Sequence, residues 1–258
     1  MQSRLAELYH LVSDSDCDKD NDTNQGNKTA SAIEELLVYS KEVSNRILFS
    51  SESSSGGGLR SSLLMACVKF MHINYSSSDE TVVVKCIQIL ETLSNVANNP
   101  TNRKVLVSED AIEKNFDLLP LLVKILNENV NENKHDVSIA IAERFCSPLM
   151  ELLMTLAGDD DNKAAMVHTE WLLVALVNIF KKSSKCTRIF KNMSVSLLGI
   201  LCLNIDNRIM MMKLPLSIPD ALFSMIQDCN DETSITTDTK EGRASVLEAA
   251  KAVNAAKD

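Results

Sequence analysis

Glycine and proline are scarce, at 7 and 5 in 258 residues. A sandwich or barrel needs a tight turn every ~10 residues and draws on both, so an all-β architecture is excluded. Aromatic residues supply only 4% of the chain, while methionine (11) and leucine are plentiful, a mix that favours helix. Long hydrophobic runs are missing: no uncharged apolar stretch approaches the ~20 residues of a membrane span, and no membrane partner is expected. The opening "MQSRLAELYHLV" carries Arg4 and Glu7 and lacks the apolar core of about 7–15 residues that marks a signal peptide. The expected location is the cytoplasm, with the nucleus as the alternative. Basic charge is in deficit as well. Twenty-six Lys and Arg stand against 35 Asp and Glu, a net charge of −9, so a nucleic-acid partner is not expected.

The motifs of catalysis and metal binding are also absent. Seven cysteines, Cys17, Cys67, Cys86, Cys146, Cys186, Cys202 and Cys229, are scattered without a CxxC pair. Most lie in apolar segments and read as buried free thiols. His168-Thr169-Glu170 has HxE spacing, but no PCxxC follows it. The acidic run "DSDCDKDND" lacks the glycine and glutamate of a calcium loop in any register. No Gly-rich phosphate loop and no GxSxG occurs. No cofactor, metal site or enzymatic activity is expected.

What remains is helical periodicity, interrupted in a repeating way. Leu90, Leu93 and Ala97 share one helical face, as do Leu5, Leu8 and Val12. "TVVVK" at 81–85 has strand composition but runs into the 3.6-residue period of "CIQILETLSNVA", so the whole segment reads as helix. In "LSNVANNPTNRKVLVSE" an apolar helix end meets a polar knot, and Asn102-Arg103 opens a new apolar run. The same knot recurs at Asn45-Arg46, Asn162-Lys163 and Asn207-Arg208, at intervals of 57, 60 and 45 residues. Each Asn is expected to be an N-cap, its side-chain oxygen accepting a bond from an unpaired N–H in the first helical turn. The following cation is expected over the C-terminus of the preceding helix. Insertions at 51–58 and 127–135 account for the two longer intervals.

With its "N-R-x-x-L-V" corner and "P-L-L-x-L-L" helix, the segment "LSNVANNPTNRKVLVSEDAI...LLPLLVKIL" resembles the armadillo family. That resemblance implies units of about 40 residues, each a short helix H1 and longer helices H2 and H3. The fold expected is an all-α, right-handed α-solenoid of four to five armadillo-like repeats. It forms a single domain over 1–258, with flexible loops at 13–29, 51–58 and 230–241. The two-helix HEAT repeat is the alternative. The glycine that commonly follows H1 in the family is replaced here, with Ala111, Thr169 and Leu214 near its place.

The resemblance also implies that the H3 helices line a concave binding surface. In the H3 of the second repeat, residues 45–99, the stripe opposite the core is Val84, Gln88, Glu91 and Asn95. Carried through the knot intervals, it becomes Ser31, Glu34 and Val38, then Arg144, Pro148, Glu151 and Thr155, then Ile189, Met193, Ser196 and Ile200. The expected partner-binding residues are Glu34, Gln88, Glu91, Asn95, Arg144, Glu151 and Thr155. An acidic row of Glu34, Glu91 and Glu151 suits a basic or extended peptide of a partner protein. The function expected is a protein-interaction scaffold or adaptor, with an armadillo-type co-chaperone clamping a folded ATPase domain as the alternative. Residues 171–213 carry seven cations against Asp206, a local balance of +6, which reads as a solvated face.

Overall fold

The computed structural model describes residues 2–13, 23–42, 45–46, 59–107, 117–130, 139–181 and 188–213. Among them there is no strand. The chain folds as two compact units, Met1–Leu121 and Leu122–Asp258.

The first unit holds α1 (Gln2–Ser13), α2 (Thr23–Lys41), α3 (Leu59–Asn74), α4 (Glu80–Ala97) and α5 (Pro100–Val107). Asn45 and Arg46 are also helical. Like stacks on like: α1 packs on α3, α2 on α4, and within each repeat α1 lies against α2 and α3 against α4. The border between the units falls inside α6 (Leu118–Val130). The second unit holds α7 (Ile139–Leu156), α8 (Asp160–His168), α9 (Leu172–Lys181), α10 (Arg188–Leu201) and α11 (Ile205–Lys213). There α10 packs on α7 and α9, and α11 on α8. The helices α2, α4, α7 and α10 are H3 helices, and α5, α8 and α11 are H1 helices.

The α4 helix shows how local chemistry sets these elements. Its β-branched start is helical, as the period implies, because Asp79 caps it. The Asp79 backbone is extended (φ −75°, ψ 116°), and its Oδ1 accepts bonds from Thr81 N at 2.8 Å and Thr81 Oγ1 at 2.7 Å. Beyond the cap, Val83, Cys86, Leu90, Leu93 and Ala97 are buried, the spacing of one helical face. The described cysteines Cys67, Cys86, Cys146 and Cys202 are buried free thiols, as their apolar settings imply. Burial pushes the Cys67 thiol up to about 12 and Cys202 up to about 11, so neither is poised as a nucleophile. Among the described residues no single helix is long and apolar enough to cross a membrane.

The structure corrects two loop boundaries. Ser13 ends α1 and residues 23–29 begin α2, so the expected loop 13–29 is shorter. Thr29 is buried and its Oγ1 donates to Leu11 O at 3.2 Å, fixing this end of α2 to α1, while the polar Asn27 and Lys28 face solvent. Likewise residues 127–130 close α6. Residues 14–22, 51–58, 131–135 and 230–241 lie outside the described residues.

An ion pair also ties α1 to α2. Arg4 Nε donates to Glu35 Oε1 at 2.9 Å and Nη2 to Oε2 at 2.6 Å, a two-pronged geometry that Lys could not reproduce. Arg4 Nη1 also meets Glu7 at 2.7 Å. The Arg4 guanidinium holds the Glu35 carboxyl below the usual carboxylate range, with Tyr39 adding a further bond. Because the folded-state value is depressed, this stabilisation is present above the ordinary glutamate range. It is lost as the pH falls through the depressed value. The stability difference between the wild type and Glu35→Gln should therefore be constant near neutral pH and shrink in acid, read from urea midpoints between pH 7 and pH 3.

Candidate binding surface

The four knots are corners between an H3 and the next H1, but the asparagines do not cap. Asn102, Asn162 and Asn207 lie inside their short helices, and Asn45 is helical as well. Asn45, Asn102, Asn162 and Asn207 are all buried, Asn102 completely at 0% exposure. The capping positions lie three residues earlier. Asn99 Oδ1 accepts from Thr101 N at 2.9 Å, Asp159 Oδ1 from Asp161 N at 3.1 Å, and Asn204 Oδ1 from Asn207 N at 3.1 Å. Pro100 takes the first helical position, where its missing N–H leaves no gap.

The knot asparagines act as donors instead. The carboxamide nitrogen Nδ2 of Asn102 donates to Val96 O at 2.9 Å, that of Asn162 to Leu156 O at 3.2 Å, and that of Asn207 to Leu201 O at 3.2 Å. Each thus adds a side-chain donor to a carbonyl at the end of the preceding H3; Val96 O also accepts from Asn99 N at 3.1 Å and Leu156 O from Asp159 N at 3.3 Å. The same nitrogen reaches back one repeat. Asn102 donates to Arg46 O at 2.9 Å and Asn207 to Lys163 O at 3.0 Å. The accepting residue is in both cases the one that follows the previous knot asparagine. A buried donor therefore staples one H1 to the H1 before it.

The cations behave as expected in the first unit. Arg46 Nε donates to Ser40 O at 2.9 Å, and Arg103 Nε to Ala97 O at 2.8 Å, each over the end of the preceding H3. In the second unit Lys163 turns to Asp160 at 2.6 Å instead. Asp160 is exposed, so this pair contributes little.

The expected partner-binding residues sit on H3 faces as follows. Glu34 is exposed on α2; Gln88, Glu91 and Asn95 are half-buried on α4. These helices pack on each other, and by the 57-residue interval between their knots Glu34 and Glu91 hold equivalent sequence positions on them. Neither has an ion-pair partner among the described residues. Val38, 62% exposed, adds an apolar contact beside them on α2. Asn95 Nδ2 donates to Ser40 Oγ at 3.1 Å, which leaves its oxygen for a partner. In the second unit Glu151 is exposed on α7, and Thr155 is half-buried with Oγ1 on Glu151 O at 2.8 Å. Arg144 lies in α7, where Pro148, four residues on, has no N–H to give its carbonyl. The side chain of Arg144 is outside the described residues. The neighbouring α10 presents Ile189, 69% exposed, with Met193, Ser196 and Ile200 half-buried. The acidic surface is thus a matched pair in one unit, and in the other a single glutamate beside apolar residues.

One residue escaped sequence reasoning. Trp171, between α8 and α9, has φ 69°, the left-handed region that suits the glycine of the H1–H2 corner. It is also 59% exposed. A residue with a β-carbon is disfavoured there by about 1–2 kcal/mol. Trp171→Gly should therefore leave stability unchanged or raise it by up to ~1 kcal/mol. A loss above ~2 kcal/mol in urea unfolding would mean that the indole contributes packing.

No family model matches the chain, and no curated protein matches it in sequence. Among solved structures it is similar to a designed armadillo repeat protein, with TM-score 0.51 and 12% identity, over 97% of this chain and 100% of that one. The stacking of like helices, the recurring H3–H1 corners and this likeness agree: the fold is all-α, an armadillo-type helical repeat.

Proposed function

We propose that the protein is an interaction scaffold that carries a partner protein on the exposed faces of its H3 helices. The observation that supports this most is the pair Glu34 and Glu91 on adjacent packed helices, each without an ion-pair partner among the described residues. Most surface carboxylates are solvated singly. Two at matching positions of stacked repeats instead present charge at the repeat interval, which an extended basic peptide can follow. Val38 and the oxygen of Asn95 offer apolar and acceptor contacts beside them. In the second unit, Glu151, Thr155 and the apolar face of α10 offer a more apolar surface of their own.

A fluorescein-labelled nonapeptide of alternating lysine and leucine tests the reading by anisotropy at low and physiological salt. The double variant Glu34→Lys/Glu91→Lys should weaken its binding at least tenfold while the urea midpoint stays near that of the wild type. Equal affinity for the wild type and the double variant would remove this surface from consideration.

A further inference from the structure

The bonds around Asn102 form a closed circuit between the C-terminal ends of two stacked H3 helices. Asn102 Nδ2 grips Val96 O, at the end of α4, and Arg46 O, each at 2.9 Å. The Arg46 guanidinium in turn grips Ser40 O at 2.9 Å and Lys41 O at 3.1 Å, the end of α2. A second link joins the same two ends directly: Asn95 Nδ2 donates to Ser40 Oγ at 3.1 Å, and Ser40 Oγ donates to Leu37 O at 2.8 Å. Every donor in the circuit is directional, and two of its members, Asn102 and Ser40, are buried at 0% exposure.

Apolar packing does not supply that kind of restraint. Burial of apolar area is non-directional, and helices that pack by ridges and grooves scatter by about ±15–20° in crossing angle. The α4 helix has 18 residues, so it is ~27 Å long, and a rotation of about 10° at one end moves the other by ~5 Å. Glu91 lies partway along that lever.

We infer that Asn102 is a positioning residue for the H3 surface of the first unit. It acts on the angle between α2 and α4, and through it on the interval at which Glu34 and Glu91 meet a partner. This role rests on the reading of α2 and α4 as a binding face, and it adds to that reading the residue that sets its spacing. Asn102 touches no partner itself. Its side-chain nitrogen is consumed by Val96 O and Arg46 O.

The test is a distance measurement, because a residue that only stabilises would lower the unfolding midpoint without altering the geometry of folded molecules. Spin labels are placed at Asn27→Cys and Thr81→Cys, exposed positions near the ends of α2 and α4 remote from the circuit, with Cys17, Cys186 and Cys229 replaced by serine. Pulsed dipolar spectroscopy on the full chain then gives the distance distribution. Asn102→Leu should broaden it or shift its mean by several Å, and should weaken binding of the lysine–leucine peptide at least fivefold with Glu34 and Glu91 intact. A distribution identical to the wild type's, with a lowered urea midpoint, would overturn the inference. If Asn102→Leu does not fold, Ser40→Ala is measured instead, since it removes the acceptor of Asn95 and the bond to Leu37 O and leaves Asn102 in place. An unchanged distribution there also overturns the proposal, and a smaller shift supports it. Failure of the peptide to bind the wild type would sink the scaffold reading alone, because the distance distributions are read without it.

Discussion

Asn102→Leu should destabilise the protein by about 3 kcal/mol, seen as a fall in the urea midpoint with little change in slope. Leucine is close to asparagine in volume, so the change creates little cavity. What it removes is the donor to two carbonyls, Val96 O and Arg46 O. The bond to Val96 O is fully buried, so no water replaces it, and that carbonyl is left with the Asn99 N–H. A lost neutral bond costs roughly 1 kcal/mol, and about 1–3 kcal/mol where the acceptor stays buried and short of a donor. Part of the loss is offset, because the Asn102 oxygen Oδ1 is itself buried without a partner and leucine removes that defect. Asn102→Asp should be worse than leucine at neutral pH. It would aim a carboxylate at two carbonyl oxygens with no donor between them. The ordering asparagine, then leucine, then aspartate separates the donor role from a capping role. A cap accepts through its oxygen, and aspartate would serve there as well as asparagine. Equal stability of the aspartate variant and the wild type would restore the capping account.

Leu93→Ala should cost about 3 kcal/mol, within the range of about 2–5 for a leucine truncated in a core that cannot collapse. Leu93 is 0% exposed near the middle of α4. That helix packs on α2, α3 and α5, so the vacated space is held open from several sides. Two residues away on the opposite face, Glu91→Ala should change stability by less than ~0.5 kcal/mol. The contrast tests the assignment of faces on which the binding surface depends. A Leu93→Ala loss below ~1 kcal/mol, or a Glu91→Ala loss above it, would mean that the two faces of α4 have been exchanged.

Periodicity made most of this fold legible. The apolar faces of α4, and of α1 at Leu8 and Val12, are the buried ones, and the four knots mark the H3–H1 corners. The chemistry at those corners was half legible. An asparagine before a short apolar run has the composition of a cap, and in sequence terms a cap acceptor and a buried donor look the same. Only the backbone path decides, by setting Asn99, Asp159 and Asn204 at the helix starts and the knot asparagines one turn inside. The arginines were easier, because a cation one residue further on can reach back to the same helix end from any nearby register. The start of α2 was hidden for another reason: residues 23–28 carry no apolar stripe, and their helix is anchored by Thr29, a polar residue. The left-handed corner at Trp171 was not legible, since nothing in the composition around it signals positive φ.

The staples have a consequence for how far such a chain can diverge. Their donors are side chains, but every acceptor is a main-chain carbonyl: Val96, Leu156 and Leu201 at the helix ends, Arg46 and Lys163 across repeats. Any residue supplies a carbonyl. Each corner therefore writes its specification into a single position and leaves the positions it binds open to substitution. Two chains can hold one architecture while sharing little text, and likeness in shape to a designed repeat protein at 12% identity is what that economy of information permits.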